Sequence, residues 1–247
     1  MADKKYIVER KDKIIGVLCF VYSLILLFII VDLFGESCSQ YGLSGFASTA
    51  EQFTTLSNVI FMVWMCLFSL TCFFPNKLKK LKSFVTNILV TTSVLVYLTV
   101  TFLTVVFNLT PIWKGEWWKN LEDQTFFTHL ISPILCLIVY ILIPSSPFKT
   151  NWKQLILVNV FPVLYVILVL IVGYTGFTYP GTGPGTDVKA QHFPYAFVDP
   201  HTYGSGAKGI VIYLAVVFVL FGVFYAISFG YYNLKNYMFN LKNKKTA

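Results

Sequence analysis

Residues 209–231 of this chain read GIVIYLAVVFVLFGVFYAISFGY. The run contains no charged side chain and is about as long as the roughly 20 residues that an α-helix needs to cross a ~30 Å hydrocarbon core. In such a core every backbone N–H and C=O must find a hydrogen-bond partner inside the protein, because water is absent. The run therefore predicts a membrane-spanning helix.

Five further apolar runs of similar length precede this one. They lie near residues 13–34, 54–74, 83–107, 125–143 and 154–176. Apolar residues make up 56% of the chain and charged residues only 12%, against about 45–50% and 25% in soluble domains. We therefore expect an all-α polytopic membrane protein, with six transmembrane helices in one bundle and a single membrane domain over residues 1–247.

The positions of the basic residues predict the topology. Most Lys and Arg residues lie in the segments 4–13, 77–82, 149–153 and 235–245, whereas acidic residues prevail in the other connections. The positive-inside rule then places both termini on the cytoplasmic side of the cell membrane. The net charge of +8 is explained by this topology and by anionic lipid headgroups. We expect no nucleic-acid partner.

The most concentrated group of polar residues opens the second predicted span. It reads FTTLSN at residues 53–58, and Thr54, Ser57 and Asn58 lie at i, i+3 and i+4 on one helix face. One interpretation is a capped helix start that makes hydrogen bonds to neighbouring helices. The other is a functional site, because polar groups are costly to place inside a membrane.

His129 opens the fourth predicted span and is the only histidine inside a span. A neutral imidazole can act as a general base, but it can also make a contact between helices or reach the headgroups. Counting outward from Lys77 and Lys149, Thr54 and His129 differ in height by roughly 5 Å at the helical rise. A threonine and a histidine at matching depth are able to form a nucleophile and base pair.

The longest connection, residues 177–208, begins with a glycine and proline cluster and continues as HFPYAFVDP at residues 192–200. Its aromatic content predicts that it folds back over the outer mouth of the bundle. Its two histidines match no standard zinc spacing, so we expect no metal and no other cofactor. Asp199 could orient a histidine, cap the last helix or face water.

Two local features give further expectations. The Ser- and Gly-rich segment 35–52 predicts an irregular loop between the first two spans. Pro162 predicts a kink in the fifth span, with Asn159 nearby to help satisfy the freed backbone group.

Three segments resemble one known family. They are Phe53-Thr54-x-x-Ser57-Asn58, His129-x-x-x-Pro133 and Phe193-Pro194-Tyr195-x-Phe197-x-Asp199. In this order and at these span boundaries, they are similar to motifs of the six-span threonine hydrolases typified by the androgen-induced and androgen-dependent TFPI-regulating (ADTRP) proteins, especially their bacterial relatives. The resemblance implies Thr54 as nucleophile and His129 as base, with Thr55 as a rival nucleophile. The animal members cleave esters of fatty acids with hydroxy fatty acids.

We therefore expect an intramembrane lipid ester hydrolase that acts on a fatty-acyl ester from the outer leaflet. Ser57, Asn58, Asn108 or backbone amides would stabilise the oxyanion. One alternative is a non-enzymatic lipid-binding, transport or scaffold protein. Another is a metal-dependent enzyme built on His192 or His201. The distance between the Thr54 hydroxyl and the His129 ring distinguishes the first expectation from the others.

Overall fold

The computed structural model describes residues 2–108, 126–143, 151–180 and 190–244. Within these ranges every regular element is helical. The α-helices are α1 (Ala2–Ala50), α2 (Phe53–Phe73), α3 (Lys79–Val85), α4 (Ile88–Asn108), α5 (Ser132–Leu142), α6 (Val160–Tyr174) and α7 (Gly206–Lys244). A π-helix, Phe127–Ile131, leads into α5, and a 3₁₀-helix, Trp152–Asn159, leads into α6. Two short 3₁₀-helices, Ala196–Val198 and Pro200–Tyr203, precede α7.

Four helices of the described chain are long and apolar enough to cross a membrane: Arg10–Ala50, Phe53–Phe73, Trp152–Tyr174 and Gly206–Leu241. A fifth candidate is the pair formed by α3 and α4, which is bent by 46° at its break. The fourth predicted span, 125–143, corresponds to a shorter apolar helix, Phe127–Leu142. The apolar helices indicate a multi-pass membrane protein, as expected, whereas the count of six spans stays a prediction.

Helix α1 contains a sharp reversal at Gly42. This glycine has φ 62° and ψ −143°, a conformation that residues with a Cβ rarely adopt. Beyond it the chain folds back: Ser37 Oγ donates to the Gly45 carbonyl at 2.9 Å, and the Phe34 and Phe46 rings are 4.7 Å apart. A straight helix rising 1.5 Å per residue cannot make such contacts. The prediction of an irregular loop over 35–52 is therefore wrong, because helix continues on both sides of Gly42.

Helices α1 and α2 are joined by two residues and pack closely as an antiparallel pair. A Cβ atom on Gly16 would lie 2.7 Å from the Cβ of Cys72, and Ser69 Oγ donates to the Gly16 carbonyl at 2.8 Å. Small residues allow this approach in membranes, where dispersion contacts and hydrogen bonds hold helices together. The largest buried core is built on this pair together with α4 and α5.

The N-terminal part of α1, helix α3 and the C-terminal ends of α5 and α7 lie at the same end of the bundle. Lys82 of α3 pairs with Asp12 of α1 at 3.1 Å. Lys235 of α7 donates to the carbonyls of Tyr140 and Ile143, the latter at 2.9 Å. The junction between α1 and α2 lies at the opposite end, where the candidate site is found.

Pro162 lies in the first turn of α6, just after the change from 3₁₀- to α-helix. A proline cannot donate to the carbonyl four residues earlier, here that of Val158. Tyr97 of α4 donates its hydroxyl to that carbonyl at 2.8 Å. The prediction that Asn159 would satisfy the freed backbone group is wrong, since its side chain makes no hydrogen bond to any described residue. A neighbouring helix supplies the donor instead.

Candidate active site

The structure brings the predicted threonine and histidine into contact. Thr54 Oγ1 lies 3.2 Å from His129 Nε2. Thr54 is on the first turn of α2, and His129 is in the π-helix that precedes α5. The distance is within the range expected for a hydroxyl and the base that removes its proton.

The π-helix that carries His129 has a cause in the sequence. Pro133 has no N–H, and its ring would clash with the His129 carbonyl in a regular α-helix. The wider turn avoids the clash, and Ser132 N–H donates to the Phe127 carbonyl, five residues back. By the same five-residue pattern the donor to the Thr128 carbonyl would be Pro133, which cannot donate. This carbonyl therefore needs a donor from elsewhere.

Asn58 supplies that donor. Its Nδ2 donates to the Thr128 carbonyl at 3.1 Å and to the Thr54 carbonyl at 2.9 Å. One fully buried amide thus joins the backbone at Thr54 to the backbone beside His129. Its Oδ1 atom has no hydrogen-bond partner among the described residues.

Ser57 also acts on the backbone of the site. Its hydroxyl donates to the Thr54 carbonyl and contacts Thr101 Oγ1 of α4, each at 2.9 Å. Ser57 and Asn58 were expected as oxyanion donors, but their hydrogens are directed at these other acceptors. Both side chains therefore hold backbone carbonyls in place.

Thr128 contacts the other nitrogen of the histidine ring, a role that sequence reasoning missed. Its hydroxyl lies 3.0 Å from His129 Nδ1. When the hydroxyl oxygen accepts from Nδ1–H, Nε2 carries a lone pair toward Thr54. The residue stands next to His129 in the sequence, yet adjacent helical side chains do not ordinarily face each other, so no sequence signal indicated this contact.

Three other predicted residues have different outcomes. Thr55 is buried, at 4% exposure, and it is the Thr54 hydroxyl that meets His129, so the geometry supports Thr54 over Thr55. The side chain of Asn108 lies outside the described residues. Asp199 Oδ1 accepts from the backbone N–H of His201 at 2.8 Å and contacts its Nδ1 at 2.9 Å. Asp199 thus orients an exposed histidine and caps a short 3₁₀-helix.

Thr54 lines a cavity of about 280 Å³ that is otherwise almost entirely apolar. Its walls come from α4, α6, α7 and the connection between the last two helices, and include Val100, Leu103, Val166, Leu220 and Phe224. A cavity of roughly half this volume, lined by apolar side chains, binds benzene in another protein. The space beside Thr54 is therefore suited to an alkyl group.

Tyr195 belongs to the Phe193-to-Asp199 motif noted in the sequence, but it was not among the residues predicted for the site. Its phenol lies close to the Thr54 side chain and to the Phe53 and Thr54 backbone. Burial raises the pKa of the Tyr195 phenol, and these contacts lower it only in part. The group therefore stays protonated at neutral pH and can donate a hydrogen bond.

The connection that carries Tyr195 is held over the start of α2. Tyr195, Phe197 and Val198 line the same cavity as Thr54, which agrees with the expected folding of this segment over the site. Tyr179 donates its hydroxyl to Glu51 Oε2, next to the start of α2. Burial raises the pKa of the Glu51 carboxyl, and the Tyr179 hydroxyl lowers it in part.

Within the described residues no group of three or more His, Cys, Asp and Glu side chains could hold a metal ion. His192 Nδ1 contacts the Phe177 carbonyl at 2.7 Å, and His201 contacts Asp199. Neither arrangement supports a metal-dependent enzyme on this connection.

Comparisons of the chain with protein-family models, with curated proteins and with solved structures found no match.

Proposed function

We propose that this protein is an intramembrane hydrolase of fatty-acyl esters, in which Thr54 is the nucleophile and His129 its general base. The contact of 3.2 Å between Thr54 Oγ1 and His129 Nε2 carries the proposal. A hydrogen bond between helices would explain this contact alone. It would not explain why Thr54 also lines an apolar cavity of about 280 Å³.

The first half of the reaction forms an acyl-enzyme. His129 Nε2 takes the hydroxyl proton while Thr54 Oγ1 bonds to the carbonyl carbon of the ester, whose oxygen becomes negatively charged. When the intermediate collapses, the bond to the alkoxy oxygen breaks. That oxygen takes the proton from Nε2, and the alcohol leaves.

The second half hydrolyses the acyl-enzyme. His129 removes a proton from a water molecule while the water oxygen bonds to the acyl carbon. Collapse breaks the bond to Thr54 Oγ1, which regains its proton, and the carboxylic acid leaves. Thr128 assists both halves by holding Nδ1–H, since this keeps Nε2 available as the acceptor.

The negative oxygen of the two intermediates needs donors in a place that water does not reach. The backbone N–H groups in the first turn of α2 have no acceptor in their own helix, and the Tyr195 phenol lies close to the backbone of Phe53 and Thr54. A substrate carbonyl approaching from the cavity would meet the same groups. In other enzymes the loss of one such donor costs about 10²–10³ in rate.

The cavity indicates the size of the acyl group. A volume of 150 Å³ binds benzene, with six carbons, so 280 Å³ has room for roughly ten carbon atoms. A longer chain would extend out of the cavity toward the bilayer.

The proposal includes the topology derived from the sequence, with six spans and both termini in the cytoplasm. Asp12, Lys82 and Lys235 lie at one end of the bundle, while Thr54 and His129 lie toward the other. With both termini in the cytoplasm, the site would face the outer leaflet of the cell membrane. The resemblance to the six-span threonine hydrolases supports the same orientation and chemistry.

An alkyl fluorophosphonate probe tests the nucleophile, because it reacts covalently with activated hydroxyl groups. We expect labelling of the purified protein at Thr54, its loss in Thr54→Ala, and its retention in Thr54→Ser, which keeps the hydroxyl. Thr55→Ala is the matched control and should be labelled like the natural protein. Labelling that survives Thr54→Ala would refute the assignment.

A lipid-binding protein without catalysis is the alternative that the apolar cavity also supports. It predicts acyl-chain binding with neither probe labelling nor ester turnover. Nitrophenyl esters with acyl chains of increasing length distinguish the two, since a hydrolase releases the chromophore and a binder does not.

A further inference from the structure

A second cavity, of about 550 Å³, lies between α7 and the helix formed by α6 and its 3₁₀ start. We call it the α6–α7 groove. Residues at its rim, Ile156, Leu164 and Phe218, are 57%, 59% and 78% exposed. The groove therefore opens on the lipid-facing surface of the bundle. Phe221 lines both this groove and the cavity beside Thr54, so the two spaces are neighbours.

Asn159 lines the groove and carries a buried amide without a hydrogen-bond partner among the described residues. Its side chain is only 6% exposed, yet neither Nδ2 nor Oδ1 has a hydrogen-bond partner among the described residues. Buried amides are normally paired, because leaving one unpaired is costly. Apart from Asn159 and Tyr225, the lining consists of apolar residues and Gly222.

In the proposed topology no water reaches this amide. Trp152 begins the same span and is 51% exposed, as expected for an anchor at the membrane interface. Asn159 lies roughly 14 Å further along the 3₁₀-helix, at about 2 Å rise per residue. This depth is inside the hydrocarbon core, where polar partners must come from protein or ligand.

The chemistry of the amide selects the ligand. A primary amide presents an acceptor and a donor side by side, and a protonated carboxyl group presents the complementary O–H and C=O. An ester of the same length lacks the O–H, and an ionised carboxylate would be costly to bury at this depth. By the same scaling from benzene, 550 Å³ has room for roughly twenty carbon atoms.

We propose that the α6–α7 groove binds a long-chain fatty acid from the bilayer, with its neutral carboxyl group on Asn159 and its chain along the apolar wall. This site is separate from Thr54 and requires no hydrolysis. It is tested in the Thr54→Ala variant, so that binding and catalysis are measured independently.

The probe is palmitic acid carrying a photoreactive diazirine, added to the Thr54→Ala protein in lipid nanodiscs. We expect cross-links to peptides from 156–164 and 218–225, and competition by palmitic acid that is about tenfold stronger than by methyl palmitate. In Asn159→Leu with Thr54→Ala the acid should lose this advantage. Equal competition by acid and ester in the protein that retains Asn159 would overturn the proposal.

A second variant tests the groove without touching the amide. A Cβ atom at Gly222 would meet nothing within 4 Å, so Gly222→Leu should fold normally and fill the space. We expect it to abolish cross-linking in the groove. Cross-linking that persists unchanged in this variant would place the fatty acid elsewhere. A thermal unfolding transition measured for each variant shows that it has folded.

Discussion

The role of Asn58 leads to the sharpest prediction about the site. Replacing it by leucine, which is similar in size, removes the donor to the Thr128 and Thr54 carbonyls. The Thr128 carbonyl then loses the donor that Pro133 cannot provide, at a cost of about 1–3 kcal/mol. The same change removes Oδ1, a buried acceptor with no partner among the described residues, and this relieves a penalty of similar size.

The two terms oppose each other, so we expect the unfolding free energy of Asn58→Leu to change by less than about 2 kcal/mol. The effect on reactivity should be much larger, because the amide joins the segments that carry Thr54 and His129. A displacement of about 1 Å at reacting groups can cost about 10²-fold in rate. Asn58→Leu is therefore expected to slow labelling by a fluorophosphonate about 100-fold.

The assay compares the labelling rate with thermal unfolding followed by tryptophan fluorescence. Thr71→Val is the control: Thr71 is fully buried on the same helix, but its hydroxyl donates to the Phe68 carbonyl of its own helix at 2.7 Å. It should label at the natural rate. A labelling rate for Asn58→Leu within threefold of that of the natural protein would refute the positioning role. So would a decrease in labelling no larger than the fraction of the variant that is unfolded.

Three further predictions concern other contacts. Tyr195→Phe should lower ester turnover about 10²-fold without lowering the melting temperature, because it removes one donor beside Thr54; unchanged turnover would exclude that donor. Lys235→Met should destabilise the protein by about 2–4 kcal/mol in denaturant titrations, since a side chain of 3% exposure loses hydrogen bonds to two carbonyls at the end of α5. Gly173→Val should lower stability by about 1–3 kcal/mol and speed proteolysis within 177–208, because a Cβ there would lie 2.3 Å from the Phe193 ring; proteolysis at the natural rate would show that this ring does not anchor the connection.

Much of the architecture could be predicted from local sequence because its causes are local. Apolar length alone indicates which segments suit a bilayer, and Pro162 marks a position where a carbonyl loses its donor. The reversal at Gly42 escaped prediction because glycine permits this backbone conformation without requiring it. The tertiary contacts of Ser37 with Gly45 and of Phe34 with Phe46 show that the chain folds back there.

The candidate site likewise has features that the sequence predicted and features that only the tertiary structure shows. The residue types at 54, 58 and 129, together with their similar depth, were visible in the sequence, so Thr54 and His129 could be named as a pair. The tertiary structure alone gives their separation of 3.2 Å, the direction of the Asn58 amide and the place of Tyr195 beside Thr54. The physical reason is that lipid tails are as apolar as the helices they surround. Hydropathy thus determines which segments enter the membrane, while close packing and hydrogen bonds between side chains decide which helix faces meet.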